Sequence, residues 1–232
     1  MSLEEKVENL EKKLEEVTKQ VGKLEDVNAV RHLQYKYGYY IDKCLYDEAV
    51  DLFAEDGEVH FLGGIYKGRA GIRRLYIDRF RKNFTGGKNG PVPGFLLDHP
   101  MFQFIVDVSP DRKSAYIRGR TLMQAGRHES NTEESYMPRQ WWEGGIYENE
   151  YVKDDGVWKI KTLNYRPFWH ADFDEGWAKT KPGYVPLPDK TFPEDPIGPD
   201  ELIKPVPHLW PNTDVVPFHY AHPVTGKMWK PD

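Results

Sequence analysis

The sequence predicts an α+β fold in which a few helices pack on an antiparallel sheet. Apolar residues keep helical spacing over most of the stretch from Val30 to Phe80, and from Phe102 they alternate with polar residues as in strands. A chain of 232 residues can bury one sizeable core. We therefore expect one central domain over residues 27–177, with an amphipathic helix over residues 1–26 before it and an extended tail over residues 178–232 after it.

A heptad pattern marks the first segment. Apolar residues recur at alternating steps of four and three, which predicts an amphipathic helix. We call these residues the heptad seam: Leu3, Val7, Leu10, Leu14, Val17, Val21 and Leu24. The helix either forms a short coiled coil between copies of the chain or docks on its own domain. In both cases it organises the protein and carries no chemistry.

Three helices and one short strand are predicted next along the chain. The first helix keeps its apolar spacing from Val30 to Leu45, and the second spans residues 49–53, where Glu55-Asp56-Gly57 ends it. A strand over residues 58–61 and a turn at Gly63-Gly64 lead to the third helix. Its apolar face consists of Ile72, Leu75, Tyr76 and Phe80.

Two hairpins follow, and they predict four long antiparallel strands. The first joins residues 102–108 to residues 116–123 through a turn at 109–112. The second joins residues 141–152 to residues 157–165 through a turn that ends at Gly156, where glycine can take the positive φ of a tight connection. The polar stretch from Arg127 to Gln140 has no periodicity, so we expect a loop over the rim of the sheet that acts as a lid.

The last segment is rich in proline and in aromatic residues. The density of proline after Trp177 excludes long regular elements, but disordered linkers usually lack so many aromatic side chains. We expect the tail to wrap over its own domain or over a neighbouring subunit.

Composition excludes several classes of partner. The net charge is −5 with interspersed signs, so no extended basic surface is available for nucleic acid. The single cysteine cannot form an internal disulfide, and no apolar run resembles a signal peptide or a membrane span. We expect a soluble cytoplasmic protein without a nucleic-acid or membrane partner.

Motifs for covalent, nucleotide-dependent and zinc chemistry are absent from the sequence. There is no Gly-rich phosphate loop, dinucleotide fingerprint, nucleophile elbow or cysteine pair. His219 and His222 have a metal-like spacing but lack a third ligand nearby, so we interpret them as surface packing. No metal and no cofactor are expected.

Tyr37, Asp42 and His99 are the residues that could carry chemistry. A carboxylate bound to one imidazole nitrogen fixes the tautomer and makes the other nitrogen a better base. Structural interpretations remain open: Asp42 falls off the apolar stripe of its helix, Tyr37 falls on it, and His99 precedes Pro100 at the entrance to a strand.

At these residues the chain resembles the SnoaL-like branch of the nuclear transport factor 2-like superfamily. The resemblance covers about residues 27–177 and rests on Lys36-Tyr37-Gly38-Tyr39-Tyr40-Ile41-Asp42, on His99 before a strand, and on Tyr147 to Tyr151 leading to Gly156-Val157-Trp158. It implies a cone-shaped α+β barrel around one deep pocket. It also implies that Asp42, His99 and Tyr37 match the family's catalytic residues. The family's second acidic residue falls near Met123 and its late arginine near Arg166, so neither is carried over.

The resemblance implies a cofactor-independent lyase. Its substrate would be a hydrophobic hydroxylated aromatic compound, which loses water, or formaldehyde in the case of a lignin-derived aromatic dimer. An isomerase or cyclase using the same residues and a non-catalytic carrier of hydrophobic ligands are the alternatives. The family and the heptad seam together favour a homo-oligomer, with a trimer preferred. The side chains expected to bind substrate are Tyr40, Arg118, Arg120, Trp142 and Tyr165.

Overall fold

The computed structural model describes residues 1–132 and 139–231. Helices pack on one curved, open, mostly antiparallel sheet, as the alternation of helical and strand periodicity predicts. The sheet of the described residues contains eight strands. Their order across the sheet is β3 (Phe95–Asp98), β5 (Ser114–Arg127), β6 (Gln140–Asp154), β7 (Val157–Asp172), β1 (Phe53–Phe61), β2 (Gly64–Lys67) and β8 (Glu201–Leu202), and β4 (Met101–Val108) pairs with β5 beside β3.

Helix α1 (Leu3–Asp42) is one continuous helix of 40 residues and runs through the expected boundary at residue 26. A capping box begins it, because Ser2 accepts from the backbone N–H of Glu5 and the Glu5 carboxylate accepts from that of Ser2. Its second half is buried against the sheet, whereas the heptad seam is exposed. The helix therefore does not dock the seam on its own domain.

The second helix lies earlier than the sequence indicates. Helix α2 spans Tyr46–Val50, and the prediction of helix up to Phe53 is wrong because strand β1 (Phe53–Phe61) already begins there. Phe53 pairs with Ile160 of a distant strand, a long-range contact that local periodicity does not reveal. Strand β2 (Gly64–Lys67) then forms a hairpin with β1.

The predicted third helix is confirmed as a continuous helical segment. It consists of α3 (Gly68–Arg73), a π-helical stretch (Arg74–Arg81) and α4 (Lys82–Thr85). Wide π-helical turns occur often at functional sites. Here the π-helical stretch directs Leu75, Tyr76, Arg79 and Phe80 to one cavity.

Both predicted hairpins are confirmed, and strand pairing adds two features. Strands β3 (Phe95–Asp98) and β4 (Met101–Val108) both pair with β5 (Ser114–Arg127), so His99 and Pro100 form a break between them. Strands β6 (Gln140–Asp154) and β7 (Val157–Asp172) form the second hairpin. Strand β1 lies parallel to β7, in contrast to the other pairings of the sheet.

A buried carboxylate fastens α1 to the sheet. Asp26 accepts from Arg112 at 2.5 Å, from Lys153 at 2.5 Å and from the Trp158 indole at 3.0 Å. Burial by itself would raise the pKa of Asp26, but these donors outweigh it and lower the pKa to about 2. One helix position is thereby tied to both hairpin turns of the sheet.

The tail wraps over its own domain. After β7 it passes through a short 3-10 helix (Trp177–Lys179) and adds strand β8 (Glu201–Leu202) to the edge of β2. Asp200 pairs with the buried Arg74 at 2.5 Å. Residues 133–138 of the predicted lid loop lie outside the described residues. Among the helices of the described residues, none is long and apolar enough to cross a membrane.

Candidate active site

A cavity of about 210 Å³ lies between the sheet and the helices. Its wall is mostly apolar and aromatic, and Tyr184, Val185 and Pro186 of the tail form part of it. The cavity thus includes a segment of the tail as well as the central domain. Its other aromatic side chains are Tyr37, Tyr46, Phe61, Tyr76, Phe80, Phe84, Trp141, Tyr147 and Tyr165.

Asp42 and His99 meet at this cavity. Asp42 is the last residue of α1, and its Oδ1 atom lies 3.2 Å from His99 Nδ1 and accepts from the His99 backbone N–H at 2.8 Å. The two side chains are 16% and 9% exposed. Asp42 is therefore not a solvated residue, although it falls off the apolar stripe, because the break between β3 and β4 brings His99 to the helix end. Among the described residues, none forms a hydrogen bond with the other ring nitrogen, Nε2, so this atom can contact a ligand.

Tyr37 lines the same cavity and is held in a group of tyrosines. Its hydroxyl lies 2.8 Å from that of Tyr76, and its ring packs edge-on against Tyr76 and Tyr147. Burial raises the pKa of Tyr37 and Tyr76 well above that of a free tyrosine. Both hydroxyls are therefore protonated near neutral pH and can act as hydrogen-bond donors.

A second histidine–carboxylate pair, which the sequence interpretation did not identify, faces the cavity. Met123, Glu143 and His170 are direct neighbours across β5, β6 and β7, and all three line the cavity. The Glu143 carboxylate contacts His170 Nε2 and accepts from the Tyr165 hydroxyl.

The pair consists of an ionised carboxylate and a neighbouring imidazole. Burial alone would raise the pKa of Glu143, but His170, the Tyr165 hydroxyl and His99 lower it more, so the net shift is downward. The sequence does contain a signal for this residue. Side chains alternate along a strand, so Glu143 lies on the same face of β6 as the buried Trp141 and Tyr147. A charged residue on a buried face is unusual unless it has a function or a partner.

The predicted substrate-binding residues divide between the two faces of the sheet. Tyr165 lines the cavity, whereas Tyr40 packs against the core without reaching it. Arg118, Arg120 and Trp142 belong to the outer face, since inward and outward side chains alternate along a strand. Trp142 stacks there on Phe173, and the guanidinium of Arg120 lies 5.9 Å from the ring of Phe168.

Arg118 fastens the end of the tail to the outer face of the sheet. It pairs with Glu148 at 2.7 Å, donates to the carbonyls of Val216 and Pro217, and lies over the ring of Phe218. Its role in the structure is the attachment of the tail.

His219 and His222 do not form a metal site. The His219 ring lies between Glu148 and Asp107, and the Nδ1 atom of His222 accepts two backbone N–H groups within a turn. Over residues 1–132 and 139–231, no three or more histidine, cysteine or acidic residues cluster as metal ligands would.

Two further polar side chains at the cavity have spare hydrogen-bonding capacity. The Tyr184 hydroxyl is buried and has no hydrogen-bond partner in the described parts of the chain. Arg79 donates to the Tyr66 hydroxyl at 2.9 Å, and no carboxylate of the described residues pairs with it. Buried polar groups without partners are rare in proteins, so the Tyr184 hydroxyl is a candidate for contact with a ligand. Arg79 is a second candidate, because its guanidinium lines the cavity and has donors besides the one that binds Tyr66.

Comparison with known proteins identifies the family. A sequence profile described as a SnoaL-like domain matches residues 22–164, which is more than half of the chain. A search of curated proteins gave no significant match.

Solved structures share the fold at low sequence identity. A protein assigned as a scytalone dehydratase from Novosphingobium aromaticivorans aligns with a TM-score of 0.50 and 24% identity, over 65% of this chain and 89% of its own. The hexachlorocyclohexane dehydrochlorinase LinA-type3 from Novosphingobium barchaimii gives 0.51 and 21%, over 66% and 92%. A further LinA structure gives 0.53 and 19%, over 67% and 94%. About a third of this chain lies outside each of these alignments. The chain belongs to the SnoaL-like family of the nuclear transport factor 2-like superfamily, and its curved sheet and helices form the cone-shaped α+β fold of that superfamily.

Proposed function

We propose that the protein is a cofactor-independent lyase that eliminates water from a hydrophobic hydroxylated aromatic compound. The observation that carries the proposal is the contact between Asp42 and His99 at the wall of an aromatic cavity. In this arrangement His99 is the general base and Asp42 orients its ring. Family relatives with assigned activities include a dehydratase and a dehydrochlorinase, both of which are eliminating enzymes by name.

The elimination needs one group that takes a proton and another that gives one. When Nδ1 of His99 donates to Asp42, Nε2 is unprotonated and can remove a proton from a carbon next to the departing hydroxyl. The electron pair of the broken C–H bond forms the double bond as the C–O bond breaks. The hydroxyl leaves as water after receiving a proton.

Two groups at the cavity suit the proton-donating side of the reaction. Tyr37 remains protonated because burial raises its pKa, and it donates a hydrogen bond to the departing oxygen. His170 lies at the cavity wall in contact with the ionised Glu143 carboxylate, and in this proposal it supplies the proton to the departing hydroxyl. General acid–base groups of this kind typically contribute about 10²–10⁴ in rate each.

The cavity wall favours a flat aromatic substrate. Its rings offer stacking and edge-on contacts, while Arg79 and the Tyr184 hydroxyl provide polar ends for phenolic or acidic substituents. A dry cavity of about 150 Å³ accommodates one benzene molecule. The volume of about 210 Å³ therefore suits one substituted ring.

The loss of formaldehyde from a lignin-derived aromatic dimer is the second candidate reaction. The benzylic hydroxyl would first leave as water while a para phenol on the same ring loses its proton, which gives a quinone methide. Removal of the proton from the terminal hydroxyl would then break the carbon–carbon bond, release formaldehyde and return the electrons to the ring. A two-ring substrate would require the tail segment around Tyr184 to Pro186 to move outward.

Two other classes of function use the same cavity. An isomerase or cyclase would employ the same histidine to move a proton without losing atoms. A carrier would need no functional pair, and the 3.2 Å contact of His99 with Asp42 is an argument against that class.

Product analysis of the purified full chain separates these functions. We would incubate it with single-ring arylpropane alcohols and with a two-ring 1,3-diol, and identify products by mass spectrometry with chemical trapping of formaldehyde. The proposal predicts products lighter by one water. Products of unchanged mass would indicate an isomerase, trapped formaldehyde the second reaction, and binding without turnover a carrier.

A further inference from the structure

The first part of α1 projects from the domain and exposes an apolar stripe. Residues 1–21 are all exposed, and the side chains of the heptad seam are between 46% and 78% exposed. A stripe of this size in water is a candidate interaction surface. The chain's own domain cannot bury this stripe, because α1 is already fixed on that domain through Asp26.

The seam has the spacing of a coiled coil, and its register can be assigned. The step from a d position to an a position is four residues, so Val7, Leu14 and Val21 occupy a positions. The d positions are Leu3, Leu10, Val17 and Leu24. The next a position is Asn28, which is exposed and ends the apolar run. Two of the three a–d pairs, Val7 with Leu10 and Val21 with Leu24, place valine at a and leucine at d, whereas Leu14 with Val17 reverses this order. Valine at a with leucine at d, together with an asparagine at a, favours parallel two-stranded coiled coils.

The charged residues that flank the seam favour one relative orientation of the two helices in the coiled coil. The g positions include Lys6 and Lys13, and the e positions include Glu4, Glu11 and Glu25. In a parallel pair each g residue faces the e residue of the next heptad, so Lys6 faces Glu11 of the partner subunit. An antiparallel pair would place lysines against lysines and glutamates against glutamates.

We propose that two copies of this chain associate through a parallel coiled coil of their heptad seams. The proposal replaces the trimer implied by the family resemblance and does not depend on the proposed catalytic function. Because the two helices are parallel, both domains lie at the same end of the coiled coil. At that end Asp26 fastens each helix to its own domain. The seam covers only about three heptads, so association is reversible and depends on concentration.

Equilibrium sedimentation of the full chain tests the seam. The wild type should move from one copy to two as its concentration rises. Leu14→Glu should raise the dissociation constant by roughly 100-fold or more, since each copy loses a buried leucine and gains a charge in the seam. Lys19→Glu, at an outward f position of the same helix, is the matched control and should remain near the wild type.

Cysteine cross-linking tests the orientation. An a residue of a parallel pair faces its own counterpart, so Val21→Cys should give a covalent dimer under mild oxidation. Lys19→Cys should not, and the native Cys44 is buried. A monomer at all concentrations, a mass of three copies, association unchanged in Leu14→Glu, or an associated Val21→Cys variant that fails to cross-link would each overturn the proposal.

Discussion

Glu143 and His170 lie directly opposite each other on β6 and β7, and the imidazole Nε2 contacts the carboxylate at the cavity wall. The Asp42–His99 pair reaches the same cavity from the end of α1 and the break between β3 and β4. One cavity thus holds two histidine–carboxylate pairs that approach it from different elements. This arrangement can remove a proton at one point and supply a proton at another.

The second pair makes a prediction about turnover. Glu143→Gln keeps the shape of the side chain and a hydrogen-bond acceptor for Tyr165, but it removes the negative charge that contacts His170. We expect turnover to fall by about 10²-fold or more, with a changed pH profile. Glu150→Gln is the control, because Glu150 lies on the outer face of the same strand. Normal turnover per folded molecule, together with reduced stability, would assign Glu143 a structural role only.

His99→Ala tests the first pair. Turnover should fall by about 10²–10⁴-fold because no other group lies in the same place to move the proton. The fold should persist, since the Asp42 carboxylate still accepts the backbone N–H of residue 99. His60→Ala is the matched control, because His60 pairs with Glu58 on β1 outside the cavity lining. Steady-state kinetics and circular dichroism of both variants decide the outcome; near-normal turnover in His99→Ala contradicts the mechanism.

Tyr184→Phe tests the contribution of the tail. The hydroxyl is buried without a partner, so its removal should leave the melting temperature unchanged or slightly higher. If the hydroxyl binds substrate, the KM should rise by about fivefold, which corresponds to one neutral hydrogen bond of about 1 kcal/mol. Tyr39→Phe is the control, because Tyr39 is 73% exposed on α1. An unchanged KM with a stabilised fold would remove Tyr184 from the substrate site.

Asp26→Asn tests the attachment of α1 to the sheet. The pKa of Asp26 falls from 3.8 in its ordinary state to about 2 in the folded protein, which corresponds to about 2 kcal/mol of stability. A lowered folded-state pKa stabilises the protein above the unfolded pKa. This contribution is present above about pH 4 and is lost as the pH falls towards 2.

Urea denaturation at several pH values measures this effect. Asp26→Asn should unfold more easily at pH 7, and its difference from the wild type should narrow as the pH is lowered below 4. Asp154→Asn removes an exposed pair with Lys159 and should leave the urea midpoint close to that of the wild type, because exposed ion pairs contribute little to stability. A constant difference between Asp26→Asn and the wild type at every pH would contradict the proposed role of the ionised carboxylate.

The sequence identified Asp42 and His99 as candidate functional residues, but it did not show that their side chains are in contact. Helical periodicity places Asp42 off the apolar face, because it describes only neighbours on one helix. The contact arises because β3 and β4 pair with the same strand and leave His99 at the break between them, 57 residues along the chain from Asp42. Glu143 and His170 meet through strand register in the same way. Trp142 was expected at the site, yet the parity of β6 places it on the outer face.

The sequence by itself determined the helices and hairpins with strong periodicity, the heptad seam and the aromatic tail, because these follow from the spacing of side chains along a local segment. Only the tertiary structure decided which faces turn inward, that β1 runs parallel to β7, and that the tail closes the cavity of its own domain. Those features depend on pairings between residues far apart in the chain. Their free energy comes from contacts that no local pattern contains.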